Sequence, residues 1–159
     1  MITLTHVINM KPIEQFTDQF RDLAGRVIRM TAFMIEGDAK LACPVDTGAL
    51  RASIYTSTAG KSGYEKAIVE AETVYWSNKV GQDTSKGMPL SEAAPVPDSL
   101  LTAIVAVGMS YGIYLEKGTT KMPAKPFLGP AADGQRDFFR REMAKAIADA
   151  AKSTGWTQS

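Results

Sequence analysis

Apolar residues fall into two long helical stripes with shorter strand-like runs between them. Phe16, Phe20, Leu23, Val27, Met30 and Met34 recur at steps of four and three, and Leu41 continues the row beyond Gly37. Such spacing places side chains on one helix face, so a long helix is expected from about Asn9–Pro12, where Asn9 can cap and proline is tolerated in the first turn. Pro44 disfavours helical geometry at Cys43 and should end that helix. A second stripe, Phe138, Phe139, Met143 and Ile147, predicts a C-terminal helix with Arg136, Arg140, Arg141, Lys145 and Lys152 on or near its polar side. That charge pattern reads as a solvated face, with a DNA-facing surface as the alternative.

Between the helices the period shortens. Pro44, Asp46, Thr47 and Gly48 form a turn in which Asp46 is the expected cap and Gly48 permits a tight bend. Arg51 and Ser53 follow in a short helical turn, each free to meet a neighbouring subunit or solvent, and a strand is expected from Ile54 to Thr58. Ala59 to Ser62 predicts a hairpin turn, and Tyr64 to Tyr75 alternates like a second strand with Glu65, Glu70 and Glu72 on its solvated side. Residues 77–99 are rich in Gly, Ser, Asp and Pro and read as a long mobile loop that could order on a partner. Leu100 to Val107 and Tyr111 to Glu116 then predict an antiparallel hairpin ended by Gly118, with Ile113 and Leu115 on one face and Tyr114 and Glu116 on the other. The prolines of Met122–Pro126 exclude a ladder strand, and Phe127 and Leu128 can anchor the connection in the core. Residues 2–8 carry Ile2, Leu4, His6 and Ile8 at period two, a strand or extended arm. The fold class is therefore α+β: a long N-terminal helix and a C-terminal helix packed on an antiparallel sheet, one domain over 1–159.

Composition narrows the chemistry. At 159 residues, 45% hydrophobic and 22% charged, the chain is globular. Lys+Arg 18 against Asp+Glu 17 gives a net charge of +1, which excludes a broadly basic nucleic-acid binder. No apolar run approaches the roughly 20 residues that span a bilayer, and the N-terminus lacks the order of a secretion signal, so a protein made and kept in a cytoplasm, with no membrane partner, is expected. One cysteine, Cys43, and one histidine, His6, cannot build a zinc site, and no metal or other cofactor is implied. Cys43 reads as a buried thiol. Ala59-Gly60-Lys61-Ser62 lacks the earlier glycine of a phosphate loop, where this chain has Tyr55. An enzyme would have to use Asp46 as acid or base and Thr47 as nucleophile, without a histidine or lysine nearby to activate the hydroxyl.

Two separated motifs carry a family resemblance. Pro44, Asp46-Thr47-Gly48, Leu50-Arg51 and Ser53, followed by Tyr111, Tyr114, Glu116-Lys117-Gly118-Thr119, Met122-Pro123-Ala124 and Pro126-Phe127, resemble the gene-ten-like tail-completion family of long-tailed bacteriophages, across roughly Leu23 to Ala150. The resemblance implies a structural virion protein without catalysis. It would complete the tail or join it to the head connector as a ring, commonly of six subunits. A tail terminator or other minor tail protein is the neighbouring alternative, and a small hydrolase or nucleotide-binding enzyme is the alternative of another class. The implied partners are further copies of the chain, the head connector and tail-tube or tail-terminator proteins, around a passage for DNA without sequence-specific binding. Arg51, Tyr114, Glu116, Lys117, Thr119, Pro123, Pro126 and Phe127 are the expected interaction residues; Pro44, Asp46, Thr47, Gly48 and Gly118 are the expected turn residues.

Overall fold

The computed structural model describes residues 11–44, 48–79 and 87–154. His6, the strand-like residues 2–8, Asn9 and the expected cap Asp46 with Thr47 lie outside them. The fold is α+β. Helix α1 (Lys11–Ala42) is followed by a short α2 (Ala49–Ala52), strand β1 (Ile54–Thr58) and helix α3 (Tyr64–Ser77). Strand β2 (Ala103–Val107) precedes α4 (Gly112–Lys117), α5 (Leu128–Gly134) and α6 (Arg136–Ser153).

Helix α1 runs 32 residues, about 48 Å at 1.5 Å per residue, and stops just before Cys43-Pro44. Its buried face follows the stripe of large residues only in part: Phe16, Phe20, Leu23 and Met34 are half-buried. Ala24, Val27, Thr31, Ala32 and Ala39 are buried, whereas Met30 is 45% and Leu41 87% exposed. The reason lies in what packs there. Helix α6 runs antiparallel along α1, tied by Gln135 to Asp38 at one end and by Ser153 to Gln19 at the other. It contributes Ala146 and Ala150 to the contact, and small residues on both sides let the two backbones approach. On α6 the stripe is displaced as well, since Ile147 is exposed. Thus α6 packs chiefly on α1, and α1 in turn covers the sheet.

The sheet holds two antiparallel strands, with Ile54 opposite Val107 and Thr58 opposite Ala103. Strand β1 occupies the expected span. Two other expected strands are helices. Tyr64–Ser77 buries Ala67 and Ala71, four residues apart, and its first turn is served by Ser62, whose hydroxyl accepts the Tyr64 N–H at 3.1 Å. The same residues satisfy period two and period four, and contact with β1 and α2 selected the helix. Glu65, Glu70 and Glu72 are exposed, as expected. Likewise Gly112–Lys117 forms α4, so β2 pairs with β1 and not with the segment after it. Ser53 is fully buried, its hydroxyl donating to the Leu50 carbonyl at 2.8 Å, and so faces neither solvent nor a neighbour.

Residues 87–99 hold no helix or strand, yet they are fastened at several points. Ser91 N–H donates to the Gly108 carbonyl at 2.8 Å, Ala94 N–H to the Tyr55 hydroxyl at 2.8 Å, and Gly60 N–H to the Pro97 carbonyl at 3.0 Å. Tyr64 donates its hydroxyl to the Ser91 carbonyl at 2.8 Å. The core gathers where these elements meet, around Ala39, Cys43, Leu50, Ile54, Met109 and Phe127.

Candidate functional site

The segment from α4 to α5 is a helix, a reversal and a helix start, held together by one carboxylate. Gly118 N–H donates to the Tyr114 carbonyl at 2.8 Å and closes α4. Gly118 has φ +75, and a Cβ there would lie 2.7 Å from the Ala124 nitrogen, so only glycine fits. Thr119 and Met122 then close a tight turn, with Thr119 N–H donating to the Met122 carbonyl at 2.8 Å and Lys121 N–H to the Thr119 hydroxyl at 3.2 Å. Lys125 N–H reaches back to the Leu115 carbonyl at 2.8 Å.

Glu116 completes the clasp. Its carboxylate accepts from the Phe127 N–H at 2.8 Å, the Leu128 N–H at 3.0 Å and the Gly129 N–H at 2.8 Å. These are the donors that the first turn of a helix leaves without partners, so α4 caps α5 through this side chain. Burial works to raise the Glu116 pKa, but the three backbone donors outweigh it and hold the carboxyl below its ordinary range. Phe127, 1% exposed, is anchored in the core directly beneath.

This clasp fixes an apolar surface. Ile113 and Tyr114 stand on α4 at 53% and 57% exposure. A cleft of about 390 Å³ opens on one side of the helix, among Val107, Met109, Ile113, Phe127 and Leu128. A second, about 500 Å³, opens among Leu50, Tyr75, Pro89, Tyr111, Tyr114 and Leu115. Around them Lys117, Thr119, Pro123 and Pro126 are exposed. The structure therefore brings Tyr114, Glu116, Lys117, Thr119, Pro123, Pro126 and Phe127 into one feature, with Glu116 and Phe127 turned inward as its supports.

Arg51 stands apart. It lines a different cleft, between α1, α2 and α3, with Lys40, Leu41 and Glu70. Gly48, at φ +85 where α2 begins, borders both that cleft and the tyrosine-lined one, and Pro44 borders the latter. Sequence reasoning missed Ile113, Tyr111 and Tyr75 as surface-forming residues because it placed their segments in strands. Tyr111, Tyr114 and Leu115 at steps of three and four were the available signal.

Cys43 is buried; burial raises its thiol pKa, and the Arg51 charge opposes that in part. No group of three or more His, Cys, Asp or Glu among the described residues could hold a metal ion. Along α6 the cations pair within the helix or with the end of α5, Arg136 with Asp133 at 2.9 Å and Lys145 with Glu142 at 2.8 Å. No helix among the described residues is long and apolar enough to cross a membrane.

No curated protein and no solved structure gives a significant match to the chain. A family model does match, under the description "Bacteriophage HK97-gp10, putative tail-component". It covers residues 10–88, hence α1, α2, β1, α3 and the Pro44–Ser53 motif, and ends before β2 and the α4–α5 clasp. Over residues 10–88, 79 of its 159 residues, the chain is similar to the HK97-gp10-like family of bacteriophage tail components.

Proposed function

We propose that this tail component is an assembly subunit that completes the phage tail or joins it to the head connector, docking through the α4–α5 surface. The observation that carries this reading is the placement of exposed Ile113 and Tyr114 on a short helix between two apolar clefts, with its connection tied by Glu116 and Gly118. A surface whose backbone is already fixed loses little entropy on docking, so modest apolar burial there becomes affinity. Exposed apolar groups clustered in this way mark interaction sites in soluble proteins. Neighbouring copies in a closed ring would repeat the contact and strengthen it by multiplicity. Connector and tail-tube or terminator proteins would meet the two ends of such a ring. The paired charges on α6 suit a passage that does not grip DNA.

The test uses Ile113→Glu and Tyr114→Ala. Both side chains are exposed, so circular dichroism and melting should stay close to wild type. Infectious particles should fall at least tenfold, with unjoined heads and tails visible by microscopy. Normal particle yields from both folded variants would refute the reading. A substrate turned over by wild type and lost on changing Asp46 or Thr47 would favour an enzyme instead.

A further inference from the structure

We infer that the α4–α5 surface of one copy docks on the outer face of α3 of a second copy, with lysines of the first set against glutamates of the next. The inference rests on the reading of α4–α5 as an assembly surface and names what that surface meets.

The α4–α5 segment is basic as well as apolar. From Gly112 to Gly129 its charged residues are Glu116, Lys117, Lys121 and Lys125. Glu116 is committed to three backbone N–H groups of α5, whereas the three lysines are exposed and have no ion-pair partner among the described residues. An occupant complementary to this surface therefore carries acidic groups around an apolar contact for Ile113 and Tyr114.

Helix α3 offers that arrangement. Glu65, Val69 and Glu72 are exposed and follow one another at steps of four and three, so they share one row of its outer face. Val69 is 62% exposed, and Glu65 and Glu72 stand one turn to either side of it, about 10 Å apart along the axis at 1.5 Å per residue. The single cation of the helix, Lys66, lies 3.8 Å from Glu70, which leaves Glu65 and Glu72 without an ion pair among the described residues. On α4 the spacing is matched: Lys117 stands one turn from Ile113 on the same face. Seating Ile113 on Val69 brings Lys117 level with a glutamate one turn away, and Lys121 and Lys125 add positive charge around the same contact.

Charge also decides how the copies are arranged. Two α4–α5 surfaces face to face would set lysine against lysine, and two α3 faces glutamate against glutamate. Only the unlike pair is attractive. Each copy then gives one surface and receives on the other, the head-to-tail contact that closes into a ring when its rotation allows.

Sedimentation equilibrium of the full chain tests this with two variants, one carrying Glu65→Lys with Glu72→Lys and the other Lys117→Glu with Lys121→Glu. All four side chains are exposed, so circular dichroism should match wild type. Each variant alone should self-associate at least tenfold more weakly than wild type, and added salt should weaken wild type in the same direction. An equimolar mixture should recover association, because every contact between alternating variants again sets lysine against glutamate. A glutamate-face variant that associates like wild type, a mixture that fails to recover, or a wild-type association that salt leaves unchanged overturns the inference; if Ile113→Glu still lowers particle yield, the assembly reading stands. Should the lysine variant associate normally but lose binding to duplex DNA, the lysines belong to the DNA passage and the inference falls. A wild-type chain monomeric at every concentration would remove this contact and the ring together.

Discussion

The two strands are equal in length and paired residue for residue, but β1 is buried at all five positions and β2 is half-buried at all five. Both have sheet-forming sequences, so propensity does not separate them. What differs is how each outer edge is finished. The chain leaving β1 turns at Gly60 and returns at once, so Lys61 and Gly63 satisfy Thr58 and Thr56. The edge of β2 depends on residues far away in sequence, and these reach only as far as Ser91 opposite Val107. The sealed strand supports the core. The open strand borders unfilled apolar space, and the chain beyond it forms the α4–α5 surface.

Substitutions in the strands give the largest expected contrast. Ile54→Ala, at a fully buried site, should cost about 2–5 kcal/mol in chemical denaturation. Ile104→Ala, at a half-buried site on β2, should cost less than half as much. Equal losses would mean that β2 is as sealed as β1 and would remove the contrast.

The clasp downstream of β2 comes next. Gly118→Ala must accept a backbone region reserved for glycine and a contact with the Ala124 nitrogen, and should lose about 1–3 kcal/mol. A melting transition unchanged by this variant would show that the reversal relaxes at no cost. Glu116→Ala should lose about 0.5–2 kcal/mol, the usual range for a helix cap. Its pH dependence has a definite sign. The folded-state pKa lies below the unfolded value, so the contribution is complete above the ordinary glutamate pKa of about 4.3 and disappears as the pH falls through the lower folded value. Wild type and Glu116→Ala should therefore converge in stability at acid pH. A gap that persists there would assign the loss to packing.

The smallest effect returns to β1. Thr56 is buried, and its hydroxyl has no hydrogen-bond partner among the described residues. Thr56→Val keeps the shape and removes the polar atom, so the protein should gain about 1 kcal/mol. A loss of similar size would reveal a partner for that hydroxyl and a less dry interior on the sealed side.

Several elements were legible in the sequence because their signals are local. Pro44 sets the end of α1 through its own sterics, Gly48 opens the short turn of α2, and Ile54 to Thr58 is a strand in pattern and in fact. The α4–α5 region was singled out through its prolines, Gly118 and Tyr114, though with a strand where the structure has α4. Its internal logic was not: that Glu116 caps α5 depends on a chain reversal bringing residues 116 and 127–129 together, and no spacing rule encodes that contact.

The sequence by itself determined the α+β class, both long helices, the strand after the turn and the resemblance to phage tail proteins. Tertiary structure alone decided which face each helix buries and whether Tyr64–Ser77 and Gly112–Lys117 are helix or strand. Short segments with small apolar residues satisfy both periods, and the free energy separating the two comes from what they pack against. For the same reason the largest apolar side chains of α1 did not mark its core. Where the two helices approach closely, Ala146 and Ala150 are buried, while Met30 is left outside.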